Sequence, residues 1–141
     1  MANTPVTERL PHALLALRLG VFIVMIFWTL DKFVAPEHAA AVWGNFYLIR
    51  GLGPPAFYVI GAAQLILVLA FVAGLYKRLT YGLVFVLHGI STLASWQQYL
   101  NPFENLLFFA AWPMLAACFA LYVLRDGDTL WTVRLGEERQ R

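Results

Sequence analysis

The chain reads as an all-α protein: an integral membrane four-helix bundle with both termini cytoplasmic. Three observations lead there. Of its 141 residues 61% are hydrophobic and only 13% are charged, whereas a soluble domain keeps roughly a quarter of its residues charged. The apolar residues fall into four blocks, each close to the ~20 residues that a helix needs to cross the hydrocarbon core. Almost every ionisable group lies between those blocks; Arg18, Gln64 and His88 are the polar residues well inside them. The strands of a membrane barrel would be about half as long and alternate in polarity, so helices, which satisfy their own backbone, are the expected solution.

The spacing predicts spans over 11–30, 54–76, 79–100 and 102–124 in a single domain covering 1–141. The first could be mistaken for a secretory signal, because Leu19 to Leu30 is a short apolar run after Arg9 and Arg18. Asp31-Lys32-Phe33 follow instead of a small-residue cleavage site, so it reads as a retained span. A periplasmic loop comes next, 31–53. Its centre, Glu37 to Trp43, suits a short helix on the membrane surface, with Trp43, Phe46 and Tyr47 at headgroup level. Gly51-Leu52-Gly53-Pro54-Pro55 breaks that helix before the second span. Tyr76-Lys77-Arg78-Leu79 joins spans two and three as an antiparallel hairpin. Asn101-Pro102-Phe103-Glu104 resembles a helix start, with Asn as N-cap, Pro in the first position and Glu three residues after the cap. Pro113 is expected to kink the fourth span and free a carbonyl near mid-membrane. A short cytoplasmic tail, 125–141, opens with the turn Asp126-Gly127 and presents Trp131.

Four spans put both termini on one side. Arg9, Lys77, Arg78, Arg125, Arg134, Arg139 and Arg141 gather there, against Lys32 and Arg50 on the other. By the positive-inside rule that side is the cytoplasm, and the location is a bacterial inner membrane. The small pairs Ala16/Gly20, Ala70/Gly74 and Ala116/Ala120 suit close helix packing.

The polar residues within the spans are where function is sought. Arg18 lies about 9 Å from the boundary at the helical rise; it either snorkels to the cytoplasm or meets a partner inside the bundle. His88 has Ser91, Thr92 and Ser95 at i+3, i+4 and i+7, which makes one polar helix face. If spans two and three are antiparallel neighbours, Gln64 and His88 share a depth. Arg18, Gln64, His88, Ser91, Thr92 and Ser95 are then candidate ligand-binding residues; the plainer alternative is that the hydroxyls and Gln64 only bond helices together. Glu104 is first a helix-start residue. It also gathers with Asp31, Lys32, Gln97 and Gln98 at the outer side, where a Lys32–Glu104 pair is expected at the periplasmic mouth.

Other chemistries are poorly served. One cysteine, Cys118, allows neither an intramolecular disulfide nor a CxxC couple and reads as a small buried apolar residue. His12 and His38 lie at opposite boundaries, so a bis-histidine haem is not expected, and no helix face carries metal-ligand spacing. Nucleic acid is not an expected partner at a net charge of +2 with no basic patch. No nucleophile–base set appears.

Arg18-Leu19-Gly20, Asp31-Lys32-Phe33, Gly61-Ala62-Ala63-Gln64 and Gly74-Leu75-Tyr76-Lys77-Arg78, in that order, resemble the DoxX/DoxD-like family of small four-span bacterial membrane proteins, from about Leu14 to Gly127. That family includes the small subunit of a thiosulfate:quinone oxidoreductase, and relatives linked to membrane redox stress, methylamine utilisation or membrane-protein assembly. The resemblance implies a fold more firmly than an activity. Gln64 stands where the family often has an acid, and Thr29 where it commonly has glycine. The thiol chemistry of the methylamine-linked relatives has no counterpart in a chain with one cysteine. The leading expectation is a DoxX-like subunit or accessory protein of a quinone-linked redox system, not an enzyme alone, with quinone or another amphiphile as ligand. The alternatives are an assembly factor or scaffold for a larger complex and a small-solute transporter. Lipid, and a membrane protein partner or a second copy of the chain, are the expected contacts.

Overall fold

In the computed structural model, residues 5–135 are described; Arg139 and Arg141, counted above toward orientation, lie outside them. The described chain is helical throughout, with no strand among the described residues. Its elements are α1 (Val6–Val34), α2 (Pro36–Phe46), α3 (Pro54–Val72), α4 (Lys77–Ala94), α5 (Trp96–Tyr99), the 3-10 turn η1 (Leu106–Ala110), α6 (Ala111–Val123) and the 3-10 turn η2 (Arg125–Gly127). Three helical stretches are long and apolar enough to cross a membrane: α1, α3 and the continuous η1–α6 segment Leu106–Val123. The third rod in chain order, α4, is not among these three and carries Lys77, Arg78 and His88. α1 packs on α3, α3 on α4, α4 on α6 and α6 on α1, so the four rods close a ring.

The buried residues of α1 are Leu14, Arg18, Val21, Met25, Thr29 and Lys32. They recur at steps of three and four, the spacing of one stripe on an α-helix. Around the apolar part of that stripe lie Val68, Phe71, Tyr81, Val84, Cys118 and Leu121. Cys118 is the core residue its sequence context suggested. The three polar members of the stripe divide between the ends: Arg18 toward the termini, Thr29 and Lys32 toward α2. Thr29 is satisfied locally, its hydroxyl donating to the Met25 carbonyl at 2.7 Å.

Element boundaries depart from the sequence reading in five places, one of them the third span: α4 runs Lys77–Ala94 and not 79–100, with Ser95 separating it from α5. α1 begins at Val6, before Pro11, which sits inside the helix. Proline there removes one N–H that would have bonded Thr7, and Thr7 is exposed to solvent. α1 also runs through Asp31-Lys32-Phe33 to Val34, so these residues are helical and do not begin the loop. It stops where Pro36 pushes the preceding Ala35 out of the helical region, to φ −139°.

α3 ends at Val72 and not at Tyr76. Gly74, at φ +68°, donates to Phe71 O while Leu75 N donates to Ala70 O; this is a Schellman stop, which needs a left-handed residue that glycine provides without strain. The fourth rod starts at Leu106 as a 3-10 turn instead of at Pro102. Asn101 does not cap it: Glu104 N donates to Asn101 O and Asn105 N to Pro102 O, and the Asn105 side chain also bonds the Asn101 carbonyl. Local turns outcompete the helix start. Pro113 is therefore the third residue of α6, in the first turn, where an α-helix has no use for its N–H. The irregularity it accompanies is the 3-10 to α junction at the helix start, not a mid-helix kink.

The close-packing sites match those expected only in part: Gly74 is buried against Thr132 and Arg18. Ala16 and Gly20 are exposed, and nothing lies within 4 Å of a Cβ placed on Gly20. Further backbone approaches occur at Gly61, against the Phe33 ring at 2.9 Å, and at Gly82, against Tyr122 at 3.3 Å. α2 folds over the end of the bundle away from the termini. Trp43 packs edge-on against Phe57, Phe46 meets Phe108, and the Tyr47 hydroxyl bonds Ser91 on α4.

Candidate functional sites at the two ends of the bundle

The six residues proposed to share an interior pocket do not form one cluster. Arg18 reaches Tyr81, and His88 is seven residues further along α4, about 10 Å at 1.5 Å per residue. Gly74 lies beside the Arg18 guanidinium, at 3.2 Å for a Cβ placed there. Gln64 is ten residues earlier in the chain, about 15 Å at helical rise. Gln64 is half-buried and makes no hydrogen bond to any described residue.

The His88 face is occupied by internal bonds. His88 Nε2 donates to the Ala111 carbonyl at 3.0 Å, linking α4 to the start of α6. Thr92 donates to His88 O, Ser95 to Ser91 O, and Tyr99 OH to Thr92 O. With Ser91 held by Tyr47, the polar stripe joins α4 to its neighbours and to the α2 loop.

Arg18 has a partner and does not snorkel. Its side chain is 0% exposed and pairs with Asp128 at 3.1 Å, itself 0% exposed. The pair is embedded in further bonds. Tyr81 OH donates to Asp128 Oδ2 at 2.7 Å and accepts from Arg18 Nη1 at 3.2 Å. Arg18 Nη2 donates to the carbonyls of Leu130 and Trp131. Lys77 Nζ donates to the Asp128 carbonyl, and Val133 N to Ala73 O at 2.8 Å. The segment after η2 thus folds back into the end of the bundle, and Asp128 is its anchor. Burying a charge is costly unless it is paired and hydrogen-bonded, and this network supplies both. Arg18 Nε and Asp128 Oδ1 are the two buried atoms of the pair left without a hydrogen-bond partner.

Sequence reasoning singled out Arg18 but missed Asp128, read there as part of a plain tail. The available signal was that Asp128 is an acid directly after the Asp126-Gly127 turn, at the same end as Arg18. Trp131, expected at the surface, is exposed.

At the other end the expected Lys32–Glu104 pair is absent. Lys32 is 7% exposed, and its Nζ donates to the Trp28 carbonyl of its own helix at 3.0 Å. Its Cβ lies 3.2 Å from a Cβ built on Gly61, so the stem is held between α1 and α3. Glu104 is exposed on the turn before η1. The ion pairs among the described residues are Arg18–Asp128 and Asp31–His38.

The Asp31–His38 pair was not anticipated, because both residues were read as part of the loop 31–53 and not as the facing ends of two helices. Extending α1 through Asp31 and starting α2 at Pro36 brings them together across the turn. His38 Nδ1 lies 2.9 Å from both carboxylate oxygens. A carboxylate only accepts, so the contact places the proton on Nδ1 and leaves Nε2 with its lone pair outward in the neutral ring. His38 is 58% exposed. Beneath the pair a groove of about 390 Å³ runs along the outer face of α1, lined by Ile23, Val24, Phe27, Trp28, Asp31 and His38. A hydrogen-bond-accepting head therefore stands above an apolar track, the arrangement an amphiphile with a hydroxyl headgroup requires. Among the described residues no group of three or more His, Cys, Asp or Glu could hold a metal ion.

Comparisons of the chain with protein-family models, curated proteins and solved structures give no match.

Proposed function

We propose that the chain is a DoxX-like subunit or accessory protein of a quinone-linked redox system in a bacterial inner membrane, and that it holds a quinol headgroup at Asp31–His38. One observation carries the reading: a histidine–carboxylate pair with its second ring nitrogen free, at the head of an apolar groove on a helix long enough to span a membrane. The order of sequence motifs supports it. All four rods cross the membrane, with both termini cytoplasmic on the charge distribution between the ends, so the groove opens toward the periplasmic headgroups.

In this arrangement the isoprenoid tail lies along Ile23, Val24 and Phe27, against the Trp28 ring. A quinol hydroxyl donates to His38 Nε2. Asp31 holds the ring in the tautomer that presents Nε2 as the acceptor. This chain binds and orients the ring and is not an enzyme alone. The binding site thus moves from the bundle interior, where His88 and its hydroxyls are engaged in helix contacts, to the α1–α2 surface.

The test is titration of the detergent-purified protein with a short-chain ubiquinone and its quinol, alongside extraction and mass spectrometry of any bound quinone. His38→Ala and Asp31→Asn should each weaken quinol binding about tenfold, the loss of one charge-assisted hydrogen bond, while His88→Ala leaves it unchanged. Weakening by His88→Ala but not His38→Ala returns the site to the interior. No binding at all removes the quinone reading.

A scaffold or assembly role is the second reading. It is favoured by the engagement of nearly all interior polar groups within the fold and by exposed aromatic residues on the rods, among them Trp28, Trp112 and Phe119. Phe22 and Phe108 are not part of that surface: Phe22 packs against the core and Phe108 against Phe46. On this reading, pull-down from membranes recovers a stoichiometric membrane partner, and His38→Ala does not alter recovery.

A further inference from the structure

A second groove lies on the opposite side of the bundle, between α4 and α6, at the end that carries the tail. Its volume is about 380 Å³, and it is lined by Arg78, Leu79, Gly82, Leu83, Phe85, Val86 and Tyr122. From Arg78 to Val86 is eight residues of helix, so the groove descends about 12 Å along α4. Its polarity is one-sided. Arg78 stands at the rim, exposed and in no ion pair with any described residue, and everything deeper is apolar apart from the Tyr122 hydroxyl.

Arg125 does not line the groove but adds a second cation at the same end of the bundle, against Tyr122. Its guanidinium lies 5.0 Å over the Tyr122 ring, and Nη1 donates to the Tyr122 carbonyl at 2.7 Å. The contact fixes the charge beside the groove while leaving other N–H donors free. The wall is equally fixed: Phe85 stacks on Tyr122 and packs against Phe119, and Gly82 lets the Tyr122 ring approach α4.

We infer that this groove is a binding site for an anionic phospholipid, with the phosphate between Arg78 and Arg125 and an acyl chain along Leu79, Leu83 and Val86. The occupant follows from complementarity. Two guanidinium groups suit a phosphate, and an apolar cleft running inward from them suits the attached chain; basic pockets between membrane helices bind anionic lipid heads in this way. A neutral phospholipid would satisfy the cleft and leave its rim unmatched. The site is independent of Asp31–His38, which lies at the other end of the bundle.

Native mass spectrometry of the full-length protein in detergent tests this, with phosphatidylglycerol and phosphatidylcholine of identical chains as probes. Phosphatidylglycerol should bind in preference. Arg78→Gln and Arg125→Gln should each weaken it roughly fivefold, the contribution expected of one basic residue near an anionic headgroup, with phosphatidylcholine unchanged. Arg125→Lys, which retains the charge, should bind more tightly than Arg125→Gln. Gly82→Leu should obstruct the cleft and weaken both lipids, and excess inorganic phosphate should not displace the lipid. Equal binding of the two lipids overturns the inference. So does an unchanged preference in Arg78→Gln, a residue whose removal breaks no bond of the fold. Displacement by phosphate with no effect of Gly82→Leu reduces the site to a surface anion contact and also overturns it.

Discussion

Asp128→Ala should be among the most destabilising single substitutions in this chain. It leaves the Arg18 guanidinium at 0% exposure without its counter-charge and removes the acceptor of the Tyr81 hydroxyl. Breaking a buried pair by deleting one partner costs about 3–5 kcal/mol, whereas an exposed pair contributes at most about 1 kcal/mol. The two regimes are well separated. Arg18 retains bonds to the Leu130 and Trp131 carbonyls if the tail stays in place, which holds the expected loss near the lower bound, about 3 kcal/mol. Replacing both partners with apolar residues, Arg18→Met with Asp128→Leu, should recover most of the loss, because no buried charge then remains. Reversible unfolding in mixed micelles, followed by tryptophan fluorescence and arranged as a double-mutant cycle, measures each term. A loss below about 1 kcal/mol for Asp128→Ala, or no recovery in the double variant, would refute the argument that the pair is buried and structural.

Three further outcomes are expected. Gly61→Ala places a methyl 2.9 Å from the Phe33 ring and should destabilise by about 1–3 kcal/mol through overpacking, a cost that Phe33→Leu in the same chain should relieve in thermal melts. Gly74→Ala meets both a left-handed backbone and the Thr132 side chain at 2.6 Å; it should cost about 1–2 kcal/mol from the backbone alone and speed proteolysis of the tail, read by time-resolved digestion. Glu104→Gln should leave the melting curve within about 0.5 kcal/mol of the parent, as for a surface residue with no partner; a larger loss would restore the Lys32–Glu104 pair.

Residues with local causes were legible in the sequence. Four apolar blocks separated by charged or proline-rich joints gave four rods, because lipid-compatible helices need uninterrupted apolar length and internally satisfied backbone. The short helix α2 was legible from composition, and so was the core role of Cys118. Boundaries were less so: Asn101-Pro102-Phe103-Glu104 carries every local signal of a helix start, yet its turns close on themselves. Lys32 looked like a loop charge because it follows Asp31 at the end of the first apolar block, and only its packing against Gly61 shows the stem drawn inward.

The sequence by itself determined the all-helical class and the number of rods, and it singled out Arg18, since hydropathy and charge act over one segment at a time. It could not determine which polar residues meet. Arg18 and Asp128 are 110 positions apart, and no periodicity links them; their contact exists because the tail turns back at Gly127 and the ring of four rods leaves space at that end. The same holds for Asp31 and His38, brought face to face by the Ala35-Pro36 break. Tertiary structure decided both sites because a buried or paired charge answers to its three-dimensional surroundings, while a segment's preference for lipid answers only to its own composition.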